Sequence, residues 1–468
     1  MGNSFRNFLA AAGIILLCCG FCFGEQSETL QLKLNPSGFA AMQIGEIVKG
    51  GFNKKTNADM DRTWMNQMIA GMSVDAVLSE WSSLDIGLEM QMYNDFPVSL
   101  KLQPQYRYQY FYPYLSRAEF TRSIGYSAEK PLIKLSAGYF PFKYNRDVRN
   151  LGEYLFRAGT YPQFILNSID FPLARLMGFH ACFSGDGMYA GSDQGLTFEQ
   201  SLLNNLKFDA ILYSNLQWYA LRDWNAAFLA SENLRGVFEI GLGAAFNSLL
   251  SVDNSQTTPH DPATLYHITY NETTSEGDSS FYTFKGAKLM ARAAFDPKKL
   301  LRILLPLELL GKEDLRIYGE MAILGLRDYP QNFRGGIRYD EIMERIPVMG
   351  GINLPAFNLL DVFSVEVEYF DNPYPNDIGA ITQQGLPIPG PIGENGGTDY
   401  RNMEIYTNNK YKWSIYASKT FAGYYTVTAQ IASDHMRPLA VNDQNVDFEE
   451  ALHETGQWYY MLKLTAGF

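Results

Sequence analysis

Hydrophobic and polar positions alternate with a period of two along most of the chain. Leu84, Ile86, Leu88, Met90 and Met92 interleave with Asp85, Gly87, Glu89 and Gln91. Leu315, Ile317, Met321 and Ile323 face away from Arg316, Tyr318 and Glu320, and Phe363, Val365, Val367 and Tyr369 face away from Ser364, Glu366 and Glu368. Successive side chains of a strand point to opposite faces, so each run has one apolar and one polar face. The runs are roughly 10 residues long and are bounded by stretches rich in Gly, Asn, Asp and Pro, the pattern of a strand that crosses a bilayer and faces water on its inner side. Downstream of the leader, no stretch reaches the roughly 20 consecutive apolar residues that a spanning helix needs.

Counted back from Phe468, these runs predict about 16 to 18 antiparallel strands closing an all-β, transmembrane, up-and-down barrel. Among them are separate runs near 99–112 and 118–128, a run at 340–353, and a short run at Leu30, Leu32 and Leu34 ahead of 39–48. Run ends read from sequence shift by about 2–4 residues, so 16 stands beside 18. Long polar connections at 251–281, 327–339, 371–410 and 437–456 are expected outside the cell, and short ones at 232–236, 354–361 and 421–424 on the periplasmic side. The apolar connection from Asp296 to Lys312 reads either as an interfacial helix or as a turn covering the barrel mouth.

Composition narrows the function. Of 468 residues, 14% are aromatic and 19% charged, with net charge −12. That excludes a disordered chain and argues against nucleic-acid binding. Residues 1–24 read as an export signal, with Arg6 in the basic segment, Phe8 to Cys19 as the apolar segment and cleavage before Glu25. Residues 25–468 are then one barrel domain, in which Cys182 is the only cysteine, so no internal disulfide can form. No HExxH, GxSxG, Walker A or CxxC pattern is present, and neither a cofactor nor a metal site is expected. Asp434-His435 holds the only histidine directly preceded by an acid, and Asp371, Asn372, Asn376 and Asp377 read as turn chemistry before calcium ligands. No catalytic residue is assigned. Tyr106, Tyr108, Tyr110 and Tyr112 form a stripe of period two, read as facing lipid, with a sugar-stacking lumenal stripe as the alternative.

The last run places Tyr460, Leu462, Leu464, Ala466 and Phe468 on one face and ends on the phenylalanine. This resembles the C-terminal strand signature of bacterial outer-membrane β-barrels. The resemblance implies recognition of Tyr460, Leu462, Leu464 and Phe468 by the barrel assembly machinery, and outer-membrane lipid around the wall.

A second resemblance lies at 138–185. A strand ending in GYFPFKYN is followed by an aromatic-rich segment without strand periodicity and then by Arg175-Leu-Met-Gly178. This is similar to the inward-folded loop region of porins of the phosphate-selective type, although the dense basic ladder of that family is missing. It implies a constriction loop over 143–174, carrying a short helix near 150–156, with Lys143, Arg146, Arg149, Glu153 and Arg157 at the narrowest point. Arg316, Glu320, Glu366 and Glu368 are expected on the facing pore wall, where opposed charges set up a transverse field. A simpler task for the loop arginines is pairing with Asp147 and Glu153 to hold the loop in place. The expectation is therefore a passive diffusion channel for small polar solutes or ions, with homotrimer formation open. A non-conducting surface barrel using its long loops for adhesion or polymer binding is the other reading.

Overall fold

The computed structural model describes residues 32–53, 58–94, 109–157, 174–188, 204–214, 223–234, 236–251, 266–270, 277–281, 286–301, 310–326, 342–371, 409–436, 441–442, 445–446, 452 and 454–468. The proposed signal segment lies outside them. So do residues 158–173 of the expected loop, Tyr106 and Tyr108, and the side chains of Tyr110 and Tyr112.

The architecture is a closed, all-antiparallel barrel of 16 strands in chain order. The strands are β1 (Lys33–Lys49), β2 (Thr63–Ser79), β3 (Ser82–Asn94), β4 (Gln109–Ile124), β5 (Ile133–Phe142), β6 (Ala174–Ser184), β7 (Leu206–Ser214) and β8 (Asp223–Leu234). They continue as β9 (Phe238–Ser251), β10 (Gly286–Phe295), β11 (Ile317–Ile323), β12 (Val348–Asn353), β13 (Val362–Tyr369), β14 (Tyr411–Phe421), β15 (Tyr425–Ser433) and β16 (Trp458–Gly467). Short two-stranded ribbons decorate three long connections. The longest connections, 252–285 and 370–410, lie at one end of the barrel, and the tight turns at 80–81, 235–237 and 422–424, together with the connections 185–205 and 296–316 and both ends of the strand series, lie at the other.

Sixteen replaces 18 because two pairs of runs are single strands. Residues 109–112 of the first run and 118–124 of the second lie in the single strand β4. Opposite β3, Gly87 pairs with Arg117 while Leu88 pairs with Leu115, so Ser116 is an extra residue. This bulge shifts the alternation phase from Leu115 to Ala118 and imitates a strand boundary. Leu34 of the short run lies in β1, which continues through Asn35-Pro36-Ser37. Gly38 exchanges backbone hydrogen bonds with Phe468 at 3.0 and 2.9 Å. An N–H at residue 36 would point to the same side, where β16 has already ended, so proline interrupts no ladder bond there. The run at 340–353 is also shorter: Ile342–Arg345 is a 3₁₀ turn and the strand begins at Val348.

Outward positions are apolar and exposed, as with Met42, Ile44, Leu88, Leu242, Leu462 and Leu464. Aromatics mark both rims. Tyr369 and Tyr411 pair with ring centroids 5.1 Å apart at the long-loop end, and Phe421, Tyr424, Tyr425 and Phe468 are exposed at the short-turn end. An apolar belt between aromatic rims is the surface of a barrel solvated by lipid. Phe140 points inward and is buried. The described part of the 296–312 connection begins with one helical turn, Lys298–Leu301, at the short-turn end.

Candidate functional site

The interior is organised around the segment that follows β5. After Phe142 the chain turns into the lumen and ends its described course in α1, the single turn Tyr154–Arg157. The loop leaves β5 and is bonded to β11 and β13, the latter eight strands further round a ring of 16, so it crosses to the opposite wall. Its own Val148, Leu151, Leu155 and Phe156 are fully buried, in one cluster with Phe140, Phe142, Leu176 and Tyr318.

Three wall carboxylates hold this loop. Glu366 accepts the backbone N–H groups of Arg149, Asn150 and Leu151 at 2.5, 2.9 and 2.9 Å, and the Tyr318 hydroxyl at 2.9 Å. Glu320 accepts the Tyr144 hydroxyl at 2.5 Å, the Asn145 amide at 2.7 Å and the Tyr154 N–H at 2.9 Å. Glu368 accepts the Tyr154 hydroxyl at 2.6 Å and is bonded to His435. A carboxylate withdrawn from water needs several donors, and the unpaired amides of an irregular loop supply them. Glu320, Glu366 and Glu368 are thus in contact with the loop and do not face it across an open gap.

Arg316, at the foot of β11, completes the attachment. Its Nη2 donates to Asp147 Oδ2 at 2.9 Å and its Nε lies 2.5 Å from Oδ1, while Glu239 is 3.3 Å away. Glu239 also pairs with Arg292 at 2.7 Å. Within the loop, Lys143 donates to the Val148 carbonyl at 2.6 Å, Arg149 lies 3.5 Å from Glu313, and Arg146 is exposed without an ion-pair partner among the described residues. Arg157 closes α1, and its side chain lies outside the described residues. Asp147 pairs with Arg316 of the wall, whereas Glu153 accepts the Asn145 N–H at 2.5 Å.

Glu153 sits at the loop's reversal, with φ of 58° after Gly152 at 93°. A non-glycine residue in this left-handed region is strained. Burial, and then the charge of Glu320, push the Glu153 carboxyl from 4.5 up to about 8. Burial and the same carboxylates hold the Tyr144 hydroxyl well above its ordinary value.

Sequence reasoning missed Tyr144, Asn145, Asn150 and Tyr154 as anchors, because neutral side chains in a non-periodic segment carry no pattern. Asp434-His435 follows β15 at the long-loop end and is buried there: Asp434 bonds Asn150, the Tyr459 hydroxyl at 2.6 Å and the Met436 N–H at 2.8 Å, while His435 bonds Glu368. Asp371 is bonded to Lys410, and Asn372, Asn376 and Asp377 lie outside the described residues.

The rest of the inner wall is polar and largely self-paired. Arg117 bridges Asp85 at 3.1 Å and Glu119 at 2.6 Å, and Asp209 meets Lys207 at 3.1 Å and His180 at 2.8 Å. Towards the short-turn mouth the wall offers exposed hydroxyls, with Ser37 2.7 Å from Ser73 and Thr420 3.1 Å from Thr426. Higher up, Gln43, Gln67 and Gln91 are out of reach of water.

Fold and interior together define a lipid-facing β-barrel with a polar lumen and an inward-folded, carboxylate-anchored loop. Among solved structures, the chain is similar to Pseudomonas putida OprB at high pH, with 11% identity over 93% of this chain and 94% of that one and a TM-score of 0.47. It is also similar to a triple mutant of Rhodopseudomonas blastica porin (8% identity, 93% and 100% covered, TM-score 0.43) and to Salmonella typhi OmpF in complex with daunomycin (9%, 93% and 98%, TM-score 0.44). No protein-family model and no curated protein matches the chain.

Proposed function

We propose that this chain is an outer-membrane porin, a passive channel for small polar or charged solutes whose barrel is constricted by the loop that begins at Lys143. The observation that carries this reading is the loop itself, which crosses a polar lumen and is fixed to the opposite wall by Glu320, Glu366 and Glu368. A barrel of this strand number is wider than its side chains fill, so an inward loop sets the bore. Lys143, Arg146, Arg149, Glu153 and Arg157 mark the constriction, and Arg316 with the three glutamates forms the wall that seats it. Export through residues 1–24, assembly through Tyr460, Leu462, Leu464 and Phe468, and association into trimers belong to the same reading.

Because most lumenal charges near the short-turn mouth are paired, the channel is expected to discriminate weakly between anions and cations. Exposed Arg146 is the charge most able to bias it. The test is planar-bilayer conductance under a salt gradient, beside a variant carrying R146Q, R149Q and R157Q. Stable conductance steps, with a reversal potential that moves toward cation preference in the variant, support a channel with the loop in its path. The burial of Gln43, Gln67 and Gln91 favours the second reading, a non-conducting surface barrel. Folded, inserted protein that yields no steps would establish it.

A further inference from the structure

The reversal at Gly152-Glu153 brings two buried carboxyl groups onto one residue. Asn145 gives its backbone N–H to Glu153 at 2.5 Å and its side-chain amide to Glu320 at 2.7 Å. A Cβ built on Gly152 would stand 3.3 Å from Glu320 Oε2, so the turn rests directly on the wall carboxylate. The other titratable groups packed around it are few. From the loop come Lys143, bonded to the Val148 carbonyl, and Tyr144, bonded to Glu320. From β10 comes Lys288, whose Nζ lies 3.5 Å from the Leu155 carbonyl. From β13 comes Glu368, reached through Tyr154 and bonded to His435 beyond it. Asp147 and Arg316 pair with each other at the foot of β11.

We propose that Glu153 and Glu320 form an acid-held latch: while the pair keeps a proton the loop stays seated on β11, and when both carboxyls are ionised the 144–154 turn lifts from the wall and widens the passage. The widening rests on the channel reading above; the latch does not. Two like charges in a dry pocket repel strongly, and release relieves both that repulsion and the left-handed strain at Glu153.

The direction follows from linkage. Glu153 holds its proton more tightly when the loop is seated, with a value of about 8 against 4.5. The hold is therefore complete below about pH 4.5 and is lost as pH rises toward about 8. Across that window the released fraction grows by up to about tenfold per pH unit, and above it the rise stops. Tyr144 does not titrate there, and His435 is separated from Glu153 by Glu368 and Tyr154.

The test is hydrogen–deuterium exchange of the 144–156 segment in detergent-solubilised protein. It is expressed as a protection factor so that the intrinsic pH dependence of exchange cancels, and compared with β14 as an internal standard. Protection that falls steeply between about pH 5 and 8 in the wild type, and stays at its acid level in E153Q, is the expected result. Protection independent of pH, or an equal fall in E153Q, overturns the latch. Should E153Q fail to insert, E320Q serves: removing the neighbouring charge must move the fall to lower pH or abolish it, and an unchanged profile overturns the proposal. Bilayer conductance over the same range separates the two claims. A rise that tracks the loss of protection supports the widening, whereas lost protection with no conductance at any pH leaves the latch and removes the channel.

Discussion

The barrel has two inner walls built from the same alternating pattern. From β5 to β13 the inward positions carry glutamates and large apolar groups, and a loop covers them. From β14 through β16 to β2 a second apolar cluster, with Ile47, Met65, Tyr459 and Met461, shares the inward face with hydroxyls and amides but with few carboxylates, and one register row runs Ser418, Thr428, Lys463, Gln43, Gln67 across five strands. The difference lies in what each side chain demands once water is restricted. A carboxylate needs several donors held in place, which only an ordered backbone segment supplies, whereas hydroxyls and amides satisfy one another and residual water. The loop is therefore seated where the wall is most acidic.

The largest effect should come from breaking the first wall. Glu366→Ala leaves three loop amides without their acceptor in a buried setting and leaves the Tyr318 hydroxyl only Ser364 of its two partners. A loss of about 3–5 kcal/mol is expected, as when one partner of a buried charged network is removed. Urea unfolding in detergent reads this loss, and single-channel recordings should show larger, noisier steps. Thr420→Ala, an equivalent truncation on the hydroxyl wall, should stay within about 0.5 kcal/mol. Comparable losses at the two sites would erase the distinction between the walls.

Next in size is the seam where the barrel closes. A Cβ on Gly38 would stand 2.4 Å from the Phe468 ring, so Gly38→Val must displace the terminal aromatic. A destabilisation of about 1–3 kcal/mol is expected from such overpacking. It should appear as slower refolding into lipid vesicles, with the closed-barrel band on unboiled gels recovering late.

A smaller change probes the paired charges. Arg117→Gln frees Asp85 and Glu119 at once, leaving two carboxylates on the lumen wall. Arg117 is half-exposed, so stability should barely move, while the cation-to-anion permeability ratio should rise by about twofold through the altered local field. A reversal potential identical to the wild type would mean that permeating ions do not pass this wall.

Much of this was legible in the sequence, for a physical reason. Alternation reports which face of a strand meets lipid, and lipid tolerates no exceptions across its core. The outward runs on β3, β11, β13 and β16 therefore stand as read from Leu84, Ile317, Phe363 and Tyr460 onward. The inward face obeys no such rule, since a lumen accepts water, another side chain or a folded loop. Glu366 and Glu368 read only as polar, and nothing in their spacing distinguishes a pore-lining charge from an anchor for Leu151 and Tyr154. Asp434-His435 is alike, since nothing in its spacing shows that it is buried against Asn150 and Glu368. The two runs counted beyond the 16 strands arise where backbone geometry departs from the ideal, at the Ser116 bulge and at Pro36.

Pro36 yields the smallest predicted effect and the sharpest check on that explanation. Read locally, Asn-Pro-Ser-Gly is a turn, and proline inside a strand of a closed barrel should cost a ladder bond. In the barrel, residues 33–37 of β1 pair with β2 alone, because β16 ends opposite Gly38. The missing N–H would point past Phe468 into the short-turn mouth. Pro36→Ala restores a donor that has nothing to bond except water, and should change stability by less than about 0.5 kcal/mol, in the slightly destabilising direction expected when the unfolded chain gains freedom. Stabilisation by 1 kcal/mol or more would mean that the restored N–H finds a strand partner. The barrel would then close further along β1 than the Gly38–Phe468 pair.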